Sequence, residues 1–398
     1  MRVLFVPLHA GGLPHTAPLI ALQRMCAREG VESAFLLPRE WHRIRQAAEI
    51  DVLPVDYQNT LRSELEAYRR YRPDIVVDDC SVTTRGAVQI WELPRIALVR
   101  TGAFEGYVPR NPAHTHSLAI NLRRQDVAFN QLANLKPIER VADFFTASRY
   151  VVPAIMTIEP LPPAVRDRSA YLYAGPLLLD DDVIARIVQA AAGDVSRAAL
   201  DAFCERHRDR PRVFMTFGNV ATPTPEILEC GRRLLQRGIA VISTFDIDGL
   251  DPATRDAYHR ARFLPMHAVC GRVDVMVHQC GSATYQYGLA QRVPTITIGS
   301  QRFDREDVAV RLEALGVSRH LRHPDEEPDF VNAFMTLMDR QLADADRVER
   351  LARLAALERE MDDTRAAFAF VDALRAVAAS ARRPARREAA RPAAVGRR

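Results

Sequence analysis

Short apolar runs alternate with segments of helical periodicity along this chain, and the alternation occurs twice. The predicted strands cover residues 2–8, 32–37, 74–77, 95–100, 212–216, 240–245, 273–277 and 295–298. Buried apolar runs separated by helices are typical of parallel strands that are covered on both faces. The sequence therefore predicts an α/β fold with two doubly wound, Rossmann-like parallel sheets.

The chain of 398 residues is long enough for two domains. We expect an N-terminal domain at residues 1–178, a polar linker at 179–211 and a C-terminal domain at 212–360. A helix at residues 361–380 is expected to pack back on the first domain. Ligands of such folds bind at the carboxyl ends of the strands, so we expect a site in the cleft between the two sheets.

The net charge of +4 comes from the end of the chain. Residues 381–398 contain seven arginines and one glutamate, a balance of +6, so the rest of the chain carries about −2. A body without excess positive charge argues against nucleic-acid binding. The Arg/Ala/Pro composition of this tail predicts disorder. Because the chain shows neither a membrane-spanning apolar run nor a signal-peptide pattern at its start, we expect a cytoplasmic protein.

Residues 278–284, HQCGSAT, directly follow a predicted strand and open a predicted helix. The first N–H groups of a helix have no partner inside it, and that end carries partial positive charge, so such a turn predicts an anion site. His278 adds a side-chain donor and Thr284 adds a hydroxyl. An ordinary strand–helix turn with a buried histidine is the alternative.

The segment around this turn resembles a known signature. From residue 263 to residue 316 the chain reads FLP, a strand, HQCGSAT, RVP, FDRED and finally LEALG. This order and spacing are similar to the donor-binding signature of inverting glycosyltransferases of GT-B fold, the group that includes macrolide and plant secondary-metabolite transferases. The resemblance implies two Rossmann-like domains facing a cleft, with the acceptor on the first and a nucleotide sugar on the second.

The resemblance also implies how the donor is held. His278 and Thr284 would bind the phosphates, and Gly281, with its neighbours Ser282 and Ala283, would let the backbone approach them. Three further segments complete the donor site by resemblance: Gly218 and Asn219 in a loop near the donor, Met266 beside the nucleotide base, and Asp304 and Arg305 at the sugar.

The chain departs from the family pattern where the family has glycine or glutamine. Cys280 and Ala283 replace two glycines of the turn, and Arg292 replaces the glycine before Val-Pro. Arg305 takes the place of the sugar-reading glutamine and brings five donors and a permanent charge. It either reads an unusual sugar or pairs with an aspartate nearby, Asp304 or Asp307.

A candidate base follows the first predicted strand. Sugar transfer to a hydroxyl needs a base near pH 7, which histidine supplies, and His15 begins an H-x-x-P sequence that the family also carries. Asp78 or Asp79, at the end of another strand, would orient it, and we prefer Asp79. The acceptor pocket is expected to include His9, Gly12 and Phe104.

No metal and no other cofactor is expected. The six cysteines are scattered without a CxxC pair, which argues against zinc. Asp246-Ile247-Asp248 matches the D-x-D that binds a metal in the other large glycosyltransferase fold. We interpret it as a polar turn, because the turn at 278–284 already supplies phosphate contacts.

These features together predict a metal-independent, inverting glycosyltransferase. It would move a sugar from a UDP- or dTDP-sugar to a small, natural-product-like acceptor, with His15 as base and Asp79 as its partner. Two alternatives remain: an enzyme of the same fold that epimerises or hydrolyses the nucleotide sugar, and a non-catalytic nucleotide-binding relative that acts as a partner protein. A homodimer is left open.

Overall fold

The computed structural model describes residues 1–8, 12–56, 60–81, 83–117, 141–192, 197–218, 223–261, 264–343 and 347–381. Two of the predicted site residues, His9 and Asn219, lie outside the described residues, as does the tail beyond residue 381. Within the described part, the strands form two sheets, each entirely parallel, as the alternation of apolar runs and helices predicts.

The N-terminal sheet has seven strands in the order β3-β2-β1-β4-β5-β6-β7. They are β1 Arg2–Pro7, β2 Glu32–Pro38, β3 Val52–Val55, β4 Ile75–Asp79, β5 Arg95–Leu98, β6 Arg149–Val152 and β7 Tyr171–Tyr173. The strand order reverses between β1 and β4, where Pro7 pairs with Asp79. In open parallel sheets, such a reversal leaves a crevice at the carboxyl ends of the two strands.

The C-terminal sheet has six strands in the order β10-β9-β8-β11-β12-β13. They are β8 Arg212–Thr216, β9 Ala240–Ser243, β10 Tyr258–Arg260, β11 Val275–His278, β12 Thr295–Ile298 and β13 Ser318–Leu321. Its reversal lies between β8 and β11, where His278 pairs with Thr216. The predicted donor turn therefore leaves this sheet at its crevice.

Helices connect the strands and cover the sheets. Among the described residues they occupy Leu13–Arg28, Arg45–Ala48, Thr60–Tyr71, Thr84–Ile90, Val141–Phe144, Asp181–Ala192, Arg197–Arg206, Pro225–Gln236, Pro252–Asp256, Met266–Cys270, Ser282–Ala290, Phe303–Ala314, Phe330–Leu342, Arg347–Ala367 and Phe370–Ala381, with 3-10 turns at Arg39–Ile44, Arg168–Ala170 and Pro324–Glu326. None of these helices is both long and apolar enough to cross a membrane.

The end of the chain returns to the N-terminal sheet. Phe370 and Leu374 are buried in one core with Val3 and Phe35. Three helices, Phe330–Leu342, Arg347–Ala367 and Phe370–Ala381, bring the chain there rather than one long helix. A straight helix of 50 residues would be about 75 Å long and could not fold back over both sheets.

The two halves of the molecule touch along the carboxyl ends of their sheets. Ile155 and Ile158 of the N-terminal half share an apolar cluster with Tyr285 and Leu289 of the C-terminal half. Gly102 lies so close to the C-terminal half that a Cβ at this position would come 2.9 Å from the Phe303 ring. The backbone after β5 therefore packs directly against the helix Phe303–Ala314.

Candidate active site

The turn after β11 holds a buried histidine whose second nitrogen has no partner. His278 is fully buried, and its Nδ1 accepts a hydrogen bond from the Cys280 N–H at 2.9 Å. The ring proton is therefore on Nε2, which makes no hydrogen bond with any described residue. Burial lowers the pKa of His278 to about 3, so the ring is neutral near pH 7. A buried donor without an acceptor is rare and is expected at a ligand site.

Two of the residues that replace a glycine of the resembled signature have a backbone conformation that favours glycine. Cys280, in this turn, has a φ of 53°, and Arg292, after the helix Ser282–Ala290, has a φ of 52°; both lie in the left-handed region. This chain therefore adopts the left-handed conformation at both positions with non-glycine residues.

The other predicted donor residues lie around the same turn. Ser282, Ala283 and Thr284 form the first turn of the helix Ser282–Ala290, which Gly281 caps. Gly218 directly follows Phe217 after β8 and has a φ of 68°. Met266 is the first residue of the helix Met266–Cys270 and, like Ala283, is a partly buried residue packed against the same apolar cluster. The helix N-terminus thus presents its free N–H groups beside the buried His278.

The candidate base lies at the crevice of the other sheet. His15 is in the first turn of the helix Leu13–Arg28. Pro14 fits the first turn because that turn needs no donor from its N–H. The His15 Nδ1 lies 3.2 Å from Asp79 Oδ1, at an angle that makes this an ion-pair contact rather than an aligned hydrogen bond.

The two adjacent aspartates of β4 have different partners. Asp79, fully buried, faces His15, whereas Asp78 accepts hydrogen bonds from Arg95 Nε at 2.6 Å and Arg95 Nη2 at 2.9 Å. Arg95 also donates to the carbonyl of Phe144 at 3.0 Å. Asp78 therefore belongs to a buried ion pair of the core, and Asp79 is the carboxylate that contacts the candidate base.

A second arginine, Arg100, holds Asp79. Its Nη1 and Nη2 donate to the two carboxylate oxygens of Asp79 at 2.7 Å and 2.8 Å. Burial would raise the pKa of the Asp79 carboxyl, but Arg100 and His15 outweigh it and hold that pKa well below its usual range. Asp79 is therefore charged at all working pH values.

The same guanidinium reaches the other half of the molecule. Arg100 Nε donates to Ser282 Oγ at 3.0 Å, across 182 positions of sequence. The sequence gives only a weak signal for Arg100. This arginine is the last residue of the predicted strand 95–100, and residues at the carboxyl end of a parallel strand lie at the crevice, but nothing in the sequence shows its two partners.

The predicted sugar contacts are arranged differently from the family expectation. The Asp304 carboxylate accepts hydrogen bonds from the Ser117 N–H at 2.9 Å and the Ser117 hydroxyl at 2.7 Å. Asp307 accepts from the Tyr107 hydroxyl. The Arg305 side chain makes no hydrogen bond or ion pair with another described residue, so neither nearby aspartate neutralises it.

A polar cavity of about 300 Å³ lies between the two halves, lined by Thr115 of one half and Ser300 and Arg302 of the other. His114 contacts Glu326 at one side of it, with 2.9 Å between Nε2 and Oε1. The buried His114 Nδ1 and Ser300 Oγ make no hydrogen bond to a described residue. The space between the halves therefore has room for a polar group here, although neither Asp304 nor Arg305 lines it.

The predicted acceptor residues Gly12 and Phe104 have different environments in the structure. Gly12 caps the helix that carries His15, and its φ of 65° requires glycine. Phe104 is only 1% exposed and packs edge-on against Tyr171, with 5.8 Å between ring centroids. Phe104 is thus a core residue in this structure, because the loop after β5 folds its ring back under the sheet.

One group of side chains has the spacing of a metal site. Ligand atoms of His15, Asp79 and Cys80 lie within 4.8 Å of one another. Both oxygens of Asp79 already accept from Arg100, so a cation there would stand beside a guanidinium. Burial raises the pKa of the Cys80 thiol, which keeps it protonated and a poor ligand. We assign no metal to this group.

The chain resembles several solved structures. No protein-family model and no curated protein matches it. The glycotransferase of kitacinnamycin is 18% identical with a TM-score of 0.68, covering 94% of this chain and 98% of that chain. The spinosyn forosaminyltransferase SpnP is 16% identical with a TM-score of 0.65, covering 95% and 99%.

A third structure, the spinosyn rhamnosyltransferase SpnG complexed with thymidine diphosphate, is 16% identical with a TM-score of 0.65, covering 94% of this chain and all of that chain (100%). At such identities the likeness establishes the fold. The GT-B fold that the sequence predicts, with two parallel sheets facing a cleft, is confirmed.

Proposed function

We propose that this protein is an inverting glycosyltransferase that moves a sugar from a nucleotide sugar to a hydroxyl of a small acceptor. One observation carries the proposal: a histidine–carboxylate pair in one sheet and an anion-binding turn in the other are joined by a single side chain, Arg100. Transfer to an acceptor needs a base and a leaving-group site close together, whereas nucleotide binding alone needs only the turn.

The proposed reaction is a single displacement. His15 takes the proton of the acceptor hydroxyl as its oxygen forms a bond to the anomeric carbon. The bond from that carbon to the diphosphate oxygen breaks, and its electron pair leaves with the diphosphate. Asp79 stabilises the imidazolium that forms on His15. Attack from the side opposite the leaving group inverts the anomeric centre.

The turn after β11 stabilises the departing charge. The His278 Nε2–H is an unused buried donor, and the helix Ser282–Ala290 offers its first N–H groups. Donors that are already in place where charge develops are the most effective source of transition-state stabilisation. Because these donors act on the diphosphate directly, we propose that the reaction needs no metal ion.

The donor and acceptor classes come from the similar structures. SpnG and a further similar structure, the glycosyltransferase VinC, were each solved with thymidine diphosphate. A dTDP-sugar is therefore the first donor to try, followed by UDP-sugars. The names of kitacinnamycin and calicheamicin transferases point to natural products as acceptors. For this chain we propose dTDP- or UDP-sugars as donors and small natural products as acceptors.

The experiment has two stages. Thermal unfolding with UDP, dTDP and GDP identifies the nucleotide, because saturation at about a hundred times Kd stabilises by about 2.7 kcal/mol. The matching nucleotide sugars are then incubated with and without an acceptor panel, and products are resolved by mass spectrometry and by the anomeric proton coupling in NMR.

Sugar on the acceptor with inverted configuration is the expected result. Free sugar or an epimer formed without acceptor would favour the hydrolase or epimerase alternative. Nucleotide binding without any turnover would favour the non-catalytic alternative.

A further inference from the structure

Arg100 lies where the two proposed parts of the site meet. It follows β5 by two residues, and β5 pairs with β4 so that Leu98 is opposite Asp79. Its side chain is 18% exposed. It contacts a carboxylate in its own half and a hydroxyl at the start of a helix in the other half.

The hydrogen-bond capacity of this guanidinium is not used up. Arginine has five N–H donors, and Arg100 uses three of them: two for Asp79 and one for Ser282. One N–H on each terminal nitrogen remains without a partner among the described residues. These two donors are fixed in place by the three contacts already made.

Ser282 places the free N–H of Arg100 Nη2 beside the proposed diphosphate site, because this N–H and the Nε–H that reaches Ser282 lie on the same edge of the guanidinium. It is the first residue of the helix Ser282–Ala290, so an anion held by the first N–H groups of this helix lies next to the Ser282 hydroxyl. Arg100 Nε is 3.0 Å from that hydroxyl. A guanidinium at this distance is within reach of an anion bound there.

Without Arg100, the turn at 278–284 supplies only partial positive charge. His278 is neutral because burial lowers its pKa to about 3, and the helix N-terminus supplies only about half an elementary charge. Burial would lower the pKa of Arg100, but Asp79 outweighs it and keeps the guanidinium charged. Arg100 is therefore a full positive charge at the edge of a site that otherwise offers only partial ones.

We propose that Arg100 binds the diphosphate of the nucleotide sugar while it keeps hold of Asp79, and so links the leaving group to the base. This inference rests on the proposed function. One guanidinium would stabilise the departing diphosphate and fix the carboxylate that orients His15.

The first test measures what the diphosphate adds to nucleotide affinity. Kd is determined by calorimetry for a nucleoside diphosphate and for the bare nucleoside, dTDP with thymidine or UDP with uridine. In Arg100→Gln the advantage of the diphosphate over the nucleoside should fall by about ten- to a hundredfold, the value of a lost hydrogen bond to a charged group. A purely structural role for Arg100 would leave this ratio unchanged.

The matched control is Arg311→Gln. Arg311 also bridges the halves through its Nε, which donates to the Thr157 carbonyl at 3.0 Å, but it is exposed and far in sequence from the turn. This variant should keep the wild-type ratio of diphosphate affinity to nucleoside affinity.

An unchanged affinity ratio in folded Arg100→Gln, with turnover intact in the wild type, would overturn the inference and leave the proposed function standing. A wild type that gains no affinity from the diphosphate would overturn the proposed function itself.

If Arg100→Gln does not fold, Arg100→Lys is the alternative test variant, because it keeps the positive charge opposite the buried Asp79. A lysine ammonium cannot hold both carboxylate oxygens and reach Ser282 at once. We expect kcat to fall by at least about tenfold, the loss of one charge-assisted hydrogen bond, while Kd for the nucleoside diphosphate changes less. A wild-type kcat in Arg100→Lys would overturn the proposal.

Discussion

Asp78 and Asp79 are consecutive residues of β4, yet each is bound by a different arginine. Asp78 pairs with Arg95 and Asp79 with Arg100, in each case through two hydrogen bonds. Successive side chains of a strand point to opposite faces of the sheet. One carboxylate therefore belongs to the core, and the other faces His15 at the carboxyl end of the strand.

This division predicts opposite effects for two conservative variants. Asp79→Asn should lower kcat by about a hundredfold or more, because it removes the charge that stabilises a protonated His15. Asp78→Asn should leave kcat of the folded enzyme near that of the wild type but reduce the free energy of unfolding by about 3–5 kcal/mol, because Arg95 is left buried without its partner. Urea denaturation and steady-state kinetics on both variants check this. Equal loss of kcat in the two would contradict it.

Removal of the candidate base should separate chemistry from binding. In His15→Ala, transfer should fall by about 10²–10⁴-fold, the usual contribution of a general base. Nucleotide affinity should stay within about twofold, which is under 0.5 kcal/mol, because the donor turn lies on the other sheet. Turnover and calorimetry on the same preparation measure both. Full turnover in His15→Ala would remove His15 from the mechanism.

Transfer should not depend on a divalent cation. In the proposed reaction, the charge of the leaving diphosphate would be met by the His278 Nε2–H, the N–H groups of the helix and Arg100. Initial rates with excess EDTA and with added Mg²⁺ or Mn²⁺ should therefore agree. A rate that EDTA abolishes and Mg²⁺ restores would show that a metal carries this charge.

His278 should make stability depend on pH in a defined window. Its pKa is about 3 in the folded protein against an ordinary 6.5. Below pH 6.5 the unfolded chain binds a proton that the folded chain does not, so the free energy of unfolding falls as the pH drops from 6.5 toward 3. The loss approaches about 1.4 kcal/mol per pH unit, or about 2 kcal/mol between pH 6.5 and pH 5.

His278→Gln has no titrating group at this position, so its stability should lose that part of the pH dependence. Urea denaturation of both proteins at several pH values between 5 and 7 measures the two slopes. The comparison uses the slope alone, since the substitution also changes packing in the turn. Identical slopes would mean that His278 is protonated in the folded protein.

The strands at the centre of each sheet were predictable because they are continuous apolar runs bounded by turns. The eight predicted strands all exist, and they include the four that flank the two crevices: β1, β4, β8 and β11. The strands that the sequence did not predict are β3, β6, β7, β10 and β13. Each has three or four residues of which some are only partly buried, so it lacks the continuous apolar run that marks a buried strand.

Local sequence also determined where the chemistry is placed. His15 and His278 each follow a predicted strand, and a residue just after a parallel strand lies at the carboxyl edge whatever the rest of the chain does. The turn at 278–284 was equally predictable, since a strand followed by small residues and a helix leaves N–H groups free. These properties depend on a few neighbouring residues.

Only the tertiary structure decided which side chains meet. Sequence left Asp78 and Asp79 as alternatives, with Asp79 preferred. In the structure the two are distinguished by the faces of β4, by Arg95 in β5, which pairs with Asp78, and by Arg100 just after β5, which pairs with Asp79. The contact of Arg100 with Ser282 joins residues 182 positions apart on two sheets, and it depends on how the halves close. The order of residues specifies local conformation and patterning, whereas contacts across a cleft depend on packing that many distant residues set together.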